Sequence, residues 1–64
     1  METMNWVKVT EGLPNIGQQV LICHTDGTIY LGELTNNGAV WIGDGFMLPV
    51  KNTSHWMPVV KPNL

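Results

Sequence analysis

The sequence of 64 residues has no arginine. It has three lysines and five acidic residues, which give a formal net charge of -2. A surface that binds DNA or RNA needs clustered Lys and Arg side chains, which displace the counterions of the phosphate backbone. Here Lys8, Lys51 and Lys61 stand singly along the chain. The scarcity of positive charge therefore predicts a protein that does not bind nucleic acid directly.

Cysteine and long apolar runs are equally scarce. The single cysteine, Cys23, cannot form an internal disulfide, so nothing in the composition indicates an oxidising compartment. No apolar run approaches the roughly 18 residues of a membrane span, and the first residues lack the pattern of a secretory signal peptide. We expect a cytoplasmic protein with no membrane partner.

A chain of 64 residues has room for one domain, residues 1–64, with a small core. Oligomerisation often adds the buried area that such domains lack. Trp6, Trp41 and Trp56 are many tryptophans for this length, and each can bury on the order of 200 Å². We expect all three in the core.

The apolar residues come in short runs between Gly and Pro turn residues, which is typical of an all-β protein. We predict a small antiparallel β-meander, or a curled sheet or barrel, of four to five short strands with little or no helix. The predicted strands are Asn5–Val9, Gln19–His24, Thr28–Leu34, Ala39–Ile42 and Ser54–Met57.

The turn residues order these strands. Asp26-Gly27 supplies positive backbone angles for a first hairpin, and the Asn-Gly of Thr35–Gly38 marks a second. We expect Gly43–Pro49 to be a loop with at most a short irregular strand at its apolar end. In the connector Glu11–Gly17, we expect Leu13 and Ile16 to plug one end of the sheet.

Both faces of the predicted sheet are apolar. Val20 and Ile22 alternate with Leu21 and Cys23, and the next strand is similarly two-sided. A small sheet with two apolar faces must cover both. The sheet either curls into a barrel with the terminal segments packed outside, or a second subunit covers one face, and we expect a homo-oligomer.

The residue pattern favours no catalysis, no metal and no cofactor. His24 cannot activate the Cys23 thiol because neighbouring strand residues point to opposite faces, so only His55 from another strand could reach the sulfur. The residues that could be drawn into a metal site match no zinc-ligand spacing. These are Cys23, His24, Asp26 and His55. The carboxylates are explained by turns and solvated positions. They are Glu11, Asp26, Glu33 and Asp44.

A small-molecule site is still conceivable around the glycine-rich turn Gly43–Phe46, whose backbone N–H groups could face a phosphate. Aromatic side chains beside it would stack on a base, worth on the order of 1 to 3 kcal/mol. The candidate ligand-binding residues are Tyr30, Trp41, Gly43, Asp44, Gly45, Phe46, Lys51 and His55.

The closing stretch Thr53–Val60 places His55 and Met57 on one face of a strand and Trp56 on the other. We expect Trp56 to cap the core against Trp6, and Pro58 to end the strand. His55 then faces away from the core, where it could line a pocket.

The landmarks from Trp6 to Pro62 together resemble the small phage and prophage protein family catalogued as domain of unknown function 551. The closing tetrapeptide His-Trp-Met-Pro is the most specific part. Ser54 departs from the usual threonine, and the last six residues lack the common acidic ending. The matching positions are Trp6, Val9, Leu13, Pro14, Gly17, Val20, Leu21, Asp26, Gly27, His55, Trp56, Met57 and Pro58.

The resemblance implies a phage-encoded, compact β module, and we expect a non-catalytic accessory protein that works by stoichiometric binding. The first expectation is that a homo-oligomer sequesters a small nucleotide-type signal of a host defence pathway. The alternatives are a protein inhibitor that covers a host defence enzyme with its apolar sheet face, and a minor virion or assembly component. In each case the site of action is the host cytoplasm.

Overall fold

A computed structural model describes residues 5–36 and 39–59 of the chain. These residues form one antiparallel sheet of six strands and one short 3₁₀ turn, so the fold is all-β as predicted. The strand count exceeds the predicted four to five. The strands are β1 (Val7–Lys8), β2 (Gln19–His24), β3 (Ile29–Leu34), β4 (Val40–Gly43), β5 (Phe46–Pro49) and β6 (Thr53–Pro58), with the 3₁₀ turn at Val50–Asn52 between the last two.

The sheet runs in the order β1-β6-β2-β3-β4-β5. Strands β2 to β5 form a meander, after which the 3₁₀ turn carries the chain back so that β6 inserts between β1 and β2. The sheet is curled. This follows from the hydrogen bond between the indole N–H of Trp41 on β4 and Thr53 on β6, since two strands separate β4 from β6 in the sheet. It is not closed, since β1 and β5 remain its two edges. Of the predicted forms, a meander, a curled sheet and a barrel, the structure is the curled sheet.

The first hairpin is confirmed, with Ile29 opposite Cys23 at its base. The backbone N–H of Thr28 donates to the Asp26 carboxylate, 2.8 Å away, and only Gly27 has a positive φ, of 94°. The predicted positive angle at Asp26 is therefore wrong. A short acidic side chain serves here as a turn acceptor.

The second hairpin is confirmed by its pairing, since Leu34 lies opposite Trp41 and the Thr35 N–H donates to the Val40 carbonyl. Its Asn37-Gly38 tip lies outside the described residues. In Gly43–Pro49, the short strand predicted at the apolar end is present as β5, but the rest is not a loop, because Gly43 pairs with Phe46 in a third hairpin. Two residues, Asp44 and Gly45, make the turn, and a φ of 80° at Gly45 explains why glycine stands there.

The curled sheet encloses the core on its inner side. Alternation along the strands sends one set of side chains inward, as β2 shows with Val20 and Ile22, both 0% exposed. The other set points outward. The buried core residues are Val20, Ile22, Leu34, Trp41 and Trp56, with Val7, Val9, Tyr30, Phe46, Leu48 and Val50 packed against them.

A β-bulge sets the orientation of β6. Cys23 pairs with His55 while His24 pairs with Thr53, so Ser54 has no partner on β2. The extra residue lets Thr53 point into the core while His55 still points outward, which simple alternation would forbid. Trp56 and Met57 then follow on opposite faces, as predicted, and Pro58 is the last residue of the strand.

Two expectations about the core are wrong. Trp56 lies opposite Val7 rather than Trp6, and Trp6 is only half buried and is not among the side chains packed against the core. Leu13 and Ile16 do not plug the sheet, since they are 46% and 60% exposed. The connector is held instead by its backbone, because the Trp56 indole N–H donates to the Gly12 carbonyl at 2.9 Å.

Candidate functional site

Among the predicted site residues, the aromatic rings of Tyr30 and Phe46 contact each other. Their ring centroids lie 4.9 Å apart at an interplanar angle of 37°. Gly32 and Gly43 are register partners, and the Phe46 ring occupies the space that side chains at these two positions would need. Both rings are partly buried against the core. The aromatic pair is therefore first a packing element, with only part of each ring accessible.

Trp41, the third predicted stacking residue, lies wholly in the core. Its side chain is 0% exposed, and its indole N–H donates to the Thr53 hydroxyl at 3.2 Å. That hydroxyl donates in turn to the Val50 carbonyl at 2.6 Å, which ties the 3₁₀ turn to β6. Trp41 thus has no surface on which a ligand could stack.

The predicted phosphate cradle is part of the third hairpin. Gly43 pairs with Phe46 in the ladder, and Asp44 and Gly45 form the exposed turn. Beside them lies an open depression of about 390 Å³. Its lining includes two carboxylates, Glu33 and Asp44, and no lysine, so its charge is unfavourable to a phosphate. The full lining is Gln19, Leu31, Gly32, Glu33, Ile42, Gly43 and Asp44.

Lys51 and His55 are placed away from the aromatic pair. Lys51 is exposed on the 3₁₀ turn. His55 lies on β6, on the side of the sheet opposite the core, and its Nδ1 is 2.9 Å from the Ser54 hydroxyl. The eight predicted residues therefore occupy several separate places rather than one pocket.

Cys23 and His55 are register partners on outward-facing positions of β2 and β6, as the sequence allowed. The Cys23 thiol nevertheless makes its hydrogen bond, at 3.5 Å, to the backbone carbonyl of His24. Among residues 5–36 and 39–59, no three His, Cys, Asp or Glu side chains lie close enough together to hold a metal ion.

His24 and Asp26 interact within the first turn. The His24 Nδ1 accepts the backbone N–H of Asp26 at 3.0 Å and lies 3.1 Å from its carboxylate. The Thr28 backbone N–H, followed by the Thr28 hydroxyl and His24, lowers the pKa of the Asp26 carboxyl below its usual 3.8. These contacts stay within one turn, so they stabilise the hairpin rather than form a site.

The side of the sheet opposite the core, called here the outer face, is the larger feature. Pairing arranges its side chains in three parallel rows. The lysine row is Lys8, His55, Cys23 and Ile29 across β1, β6, β2 and β3. The apolar row is Met57, Leu21 and Leu31 across β6, β2 and β3. The glutamate row is Gln19, Glu33, Ile42 and Met47 across β2, β3, β4 and β5.

The outer face exposes large apolar side chains. Ile29 is 53%, Leu31 49% and Met47 75% exposed. Cross-strand neighbours on one face lie only about 5 Å apart, so the Met57, Leu21 and Leu31 side chains form a continuous apolar surface. Single exposed apolar residues are ordinary, whereas contiguous ones across several strands are less common on the surface of a monomer.

Opposite charges stand on the two sides of the apolar row. Lys8 stands at the end of the lysine row on the edge strand β1. Glu33 stands in the glutamate row on β3, near the Asp44 turn. The apolar row lies between them. Lys8 and Glu33 are therefore opposite charged corners of the part of the outer face formed by β1, β6, β2 and β3, and Ile42 and Met47 extend the face beyond Glu33.

Comparison with protein families gives one match, the family described as proteins of unknown function (DUF551), over residues 5–63. The chain belongs to this family. Neither the curated proteins nor the solved structures contain a match. None of the helices that the structure describes is long and apolar enough to cross a membrane.

The landmarks that carried the resemblance have distinct places in the fold. Trp56 is 9% exposed and Val20 is fully buried, so both belong to the core. Gly27 adopts the positive φ of the first turn. Leu21 and Met57, by contrast, lie in the apolar row of the outer face. The shared motif therefore includes outward-facing residues as well as core residues.

The predicted site residues omitted the apolar row. The sequence predicted a second apolar face that includes Leu21 and Leu31 and could cover a host enzyme, but none of its residues was predicted as a ligand-binding residue. The signal was the apolar residues on both sides of β2 and β3. It was not decisive because the sequence does not show which of two apolar faces turns inward.

Proposed function

We propose that this protein is a non-catalytic binding protein that contacts another protein through its outer face. The observation that carries the proposal is the apolar row, continued by exposed Ile29 and Met47, on a side of the sheet that the core does not use. The inner side chains already pack among themselves. An apolar surface left over in this way is typical of a protein interface.

The charge pattern supports a protein rather than a nucleotide as the partner. Sequestration of a nucleotide is favoured by the Tyr30–Phe46 contact alone. Against it stand the buried position of Trp41 and the two carboxylates of the depression beside Gly43. Lys51 and His55 lie on other elements. A phosphate held at this place would lack a cation, so the protein partner is the better-supported proposal.

The proposal includes no chemical step. The nearest approach to a catalytic pair is Cys23 opposite His55, and the thiol proton is directed to the His24 carbonyl instead. If the protein is phage-encoded, as the sequence resemblance implied, the partner is a protein of the bacterial host and the effect is inhibition by covering a surface. A stoichiometric complex is then the expected form of activity.

A pair of matched double variants tests this proposal. Ile29→Thr with Leu31→Thr removes apolar area from the outer face and places β-branched residues, which suit a strand, at both positions. Leu13→Thr with Ile16→Thr removes similar exposed area from the connector, outside the face. Affinity-tagged forms of each would be used to isolate complexes from bacterial extract, with the bound protein identified by mass spectrometry.

The proposal predicts that one protein binds stoichiometrically to the wild type and the connector variant, and is lost from the outer-face variant. Equal binding by all three forms would place the interface elsewhere. Tight binding of a cyclic or linear nucleotide, measured by calorimetry and abolished by Phe46→Leu, would instead support the aromatic pair as the site.

A further inference from the structure

We infer that the outer face binds a second copy of this chain, so that two copies form a symmetric dimer in which the apolar rows meet and Lys8 of each copy lies over Glu33 of the other. The inference rests on the proposed function, because it assigns a second copy of the chain to the same face when no host protein is bound. A host protein that used the face would then have to displace the second copy.

The positions of the charges fit a two-fold arrangement. Lys8 is on β1 in the lysine row, and Glu33 is three strands away on β3 in the glutamate row. From the usual strand spacing, these corners are about 20 Å apart. The point midway between them falls in the apolar row, between Met57 and Leu21.

Consider a two-fold axis that lies in the plane of the outer face, passes through that midpoint and is perpendicular to the line from Lys8 to Glu33. Such an axis exchanges the two corners. Rotation about it therefore places each lysine over the other copy's glutamate and brings Leu21 and Met57 of the two copies together at the centre. His55, next to Lys8 in its row, also comes near the opposite Glu33. A surface that complements itself in this way suits the isologous contact of a dimer.

The sheet edges offer a poorer route to self-association. The edge strand β1 has only two residues. The other edge, β5, has four residues and ends at Pro49, which has no backbone N–H to donate. Extension of the sheet by a further strand is therefore restricted at both edges. The outer face remains the surface with enough apolar area to associate.

The small core adds a reason for association. The core cluster of the described residues contains five buried apolar side chains, and the largest of these are two tryptophans. Small domains frequently gain the missing buried area from oligomerisation. The apolar row and its neighbours form a small patch on a curved sheet, so the dimer should dissociate on dilution in the micromolar range.

Charge exchange between chains tests the inference. Lys8→Glu and Glu33→Lys would be prepared separately, and Lys51→Glu would serve as the control for the same charge change on the 3₁₀ turn, outside the face. Each protein, and an equimolar mixture of the first two, would be studied by sedimentation equilibrium over a range of concentrations. Circular dichroism would show that each variant is folded.

The dimer predicts that either single variant raises the dissociation constant about tenfold, because each homodimer then holds two like-charged pairs. The mixture should restore the wild-type constant, since the heterodimer regains both opposite-charge pairs. Lys51→Glu should change nothing. A wild type that stays monomeric at every concentration, or a dimer unaffected by both variants, would overturn the inference. A monomer whose host partner is still lost with Ile29→Thr and Leu31→Thr would leave the proposed function standing.

Discussion

The indole N–H of Trp41 donates to the hydroxyl of Thr53 across the inside of the curled sheet, over 3.2 Å. Trp41 is on β4 and Thr53 begins β6, so the bond joins strands that are not neighbours in the sheet. The same hydroxyl donates to the Val50 carbonyl. One buried threonine therefore fixes the curl of the sheet, the 3₁₀ turn and the indole of the largest core residue together.

Replacement of Thr53 by valine should destabilise the fold although valine has the same shape and favours strands. The variant leaves the buried Trp41 N–H without an acceptor, which costs about 1 to 3 kcal/mol. Thr53→Ser keeps the hydroxyl and is the matched control, with a smaller loss. Urea denaturation followed by tryptophan fluorescence measures both. A valine variant as stable as the serine variant would show that the hydroxyl is dispensable.

Replacement of Gly32 by alanine should lower the free energy of unfolding, although Leu31 beside it in the strand is exposed. The new Cβ would lie 2.5 Å from the Ile42 carbonyl oxygen and 3.0 Å from the Phe46 ring. Because the carbonyl belongs to a paired strand, the strands must move, and we expect a loss of about 1 to 3 kcal/mol. Gly12→Ala is the control, since nothing lies within 4 Å of its Cβ position. Equal thermal midpoints for the two variants would contradict the close packing over Gly32.

Trp56 and His55 are neighbours in the family motif but should respond differently to alanine. Trp56 is 9% exposed and donates to the Gly12 carbonyl, so its loss should cost about 3 to 5 kcal/mol. His55 faces outward, and its replacement should leave the fold intact. Chemical denaturation of both variants gives the comparison. If His55→Ala unfolds the protein, the residue serves the fold and the outer face loses one of its functional candidates.

Asp26 should make stability depend on pH in the acid range. Its pKa is lowered in the folded protein, chiefly by the Thr28 backbone N–H. A carboxyl with a lowered pKa stabilises the fold above its unfolded pKa, here near 3.8, and the stabilisation disappears as the pH falls through the folded value. A titration of the Asp26 carboxyl carbon by NMR should therefore show a midpoint below 3.8. In Asp26→Asn this part of the acid destabilisation should be absent, and an unchanged acid profile would contradict it.

The sequence was sufficient for the strands that alternate clearly and for the first turn. Asp26-Gly27 between two apolar runs is a strong hairpin signal, and the pairing of Cys23 with Ile29 confirms it. The similar Asp44-Gly45 was read as part of a loop. The strand that follows this turn has only four residues, and the side chains of two of them point outward. Such a short strand shows too little alternation of apolar and polar residues to be detected in the sequence.

The contacts between distant segments could not be read in the same way. Trp6 was expected against Trp56, but the register of the two-residue strand β1 places Val7 there instead, and a shift of one residue reverses every side chain. The bulge at Ser54 is also invisible in the sequence, and it turns Thr53 inward, where its hydroxyl accepts the Trp41 N–H. The candidate site failed to assemble for the same reason, since Tyr30, Lys51 and His55 are on separate elements.

The most direct test of the outer face as an interface is the solvent accessibility of individual methyl groups, measured by NMR with a soluble paramagnetic probe at low and high protein concentration. The methyl groups of Leu21 and Leu31 should lose accessibility as the concentration rises, while those of Leu13 and Ile16 in the connector remain accessible. Unchanged accessibility of Leu21 and Leu31 between the two concentrations, or protection confined to the connector, would contradict the outer face as the surface through which two copies associate.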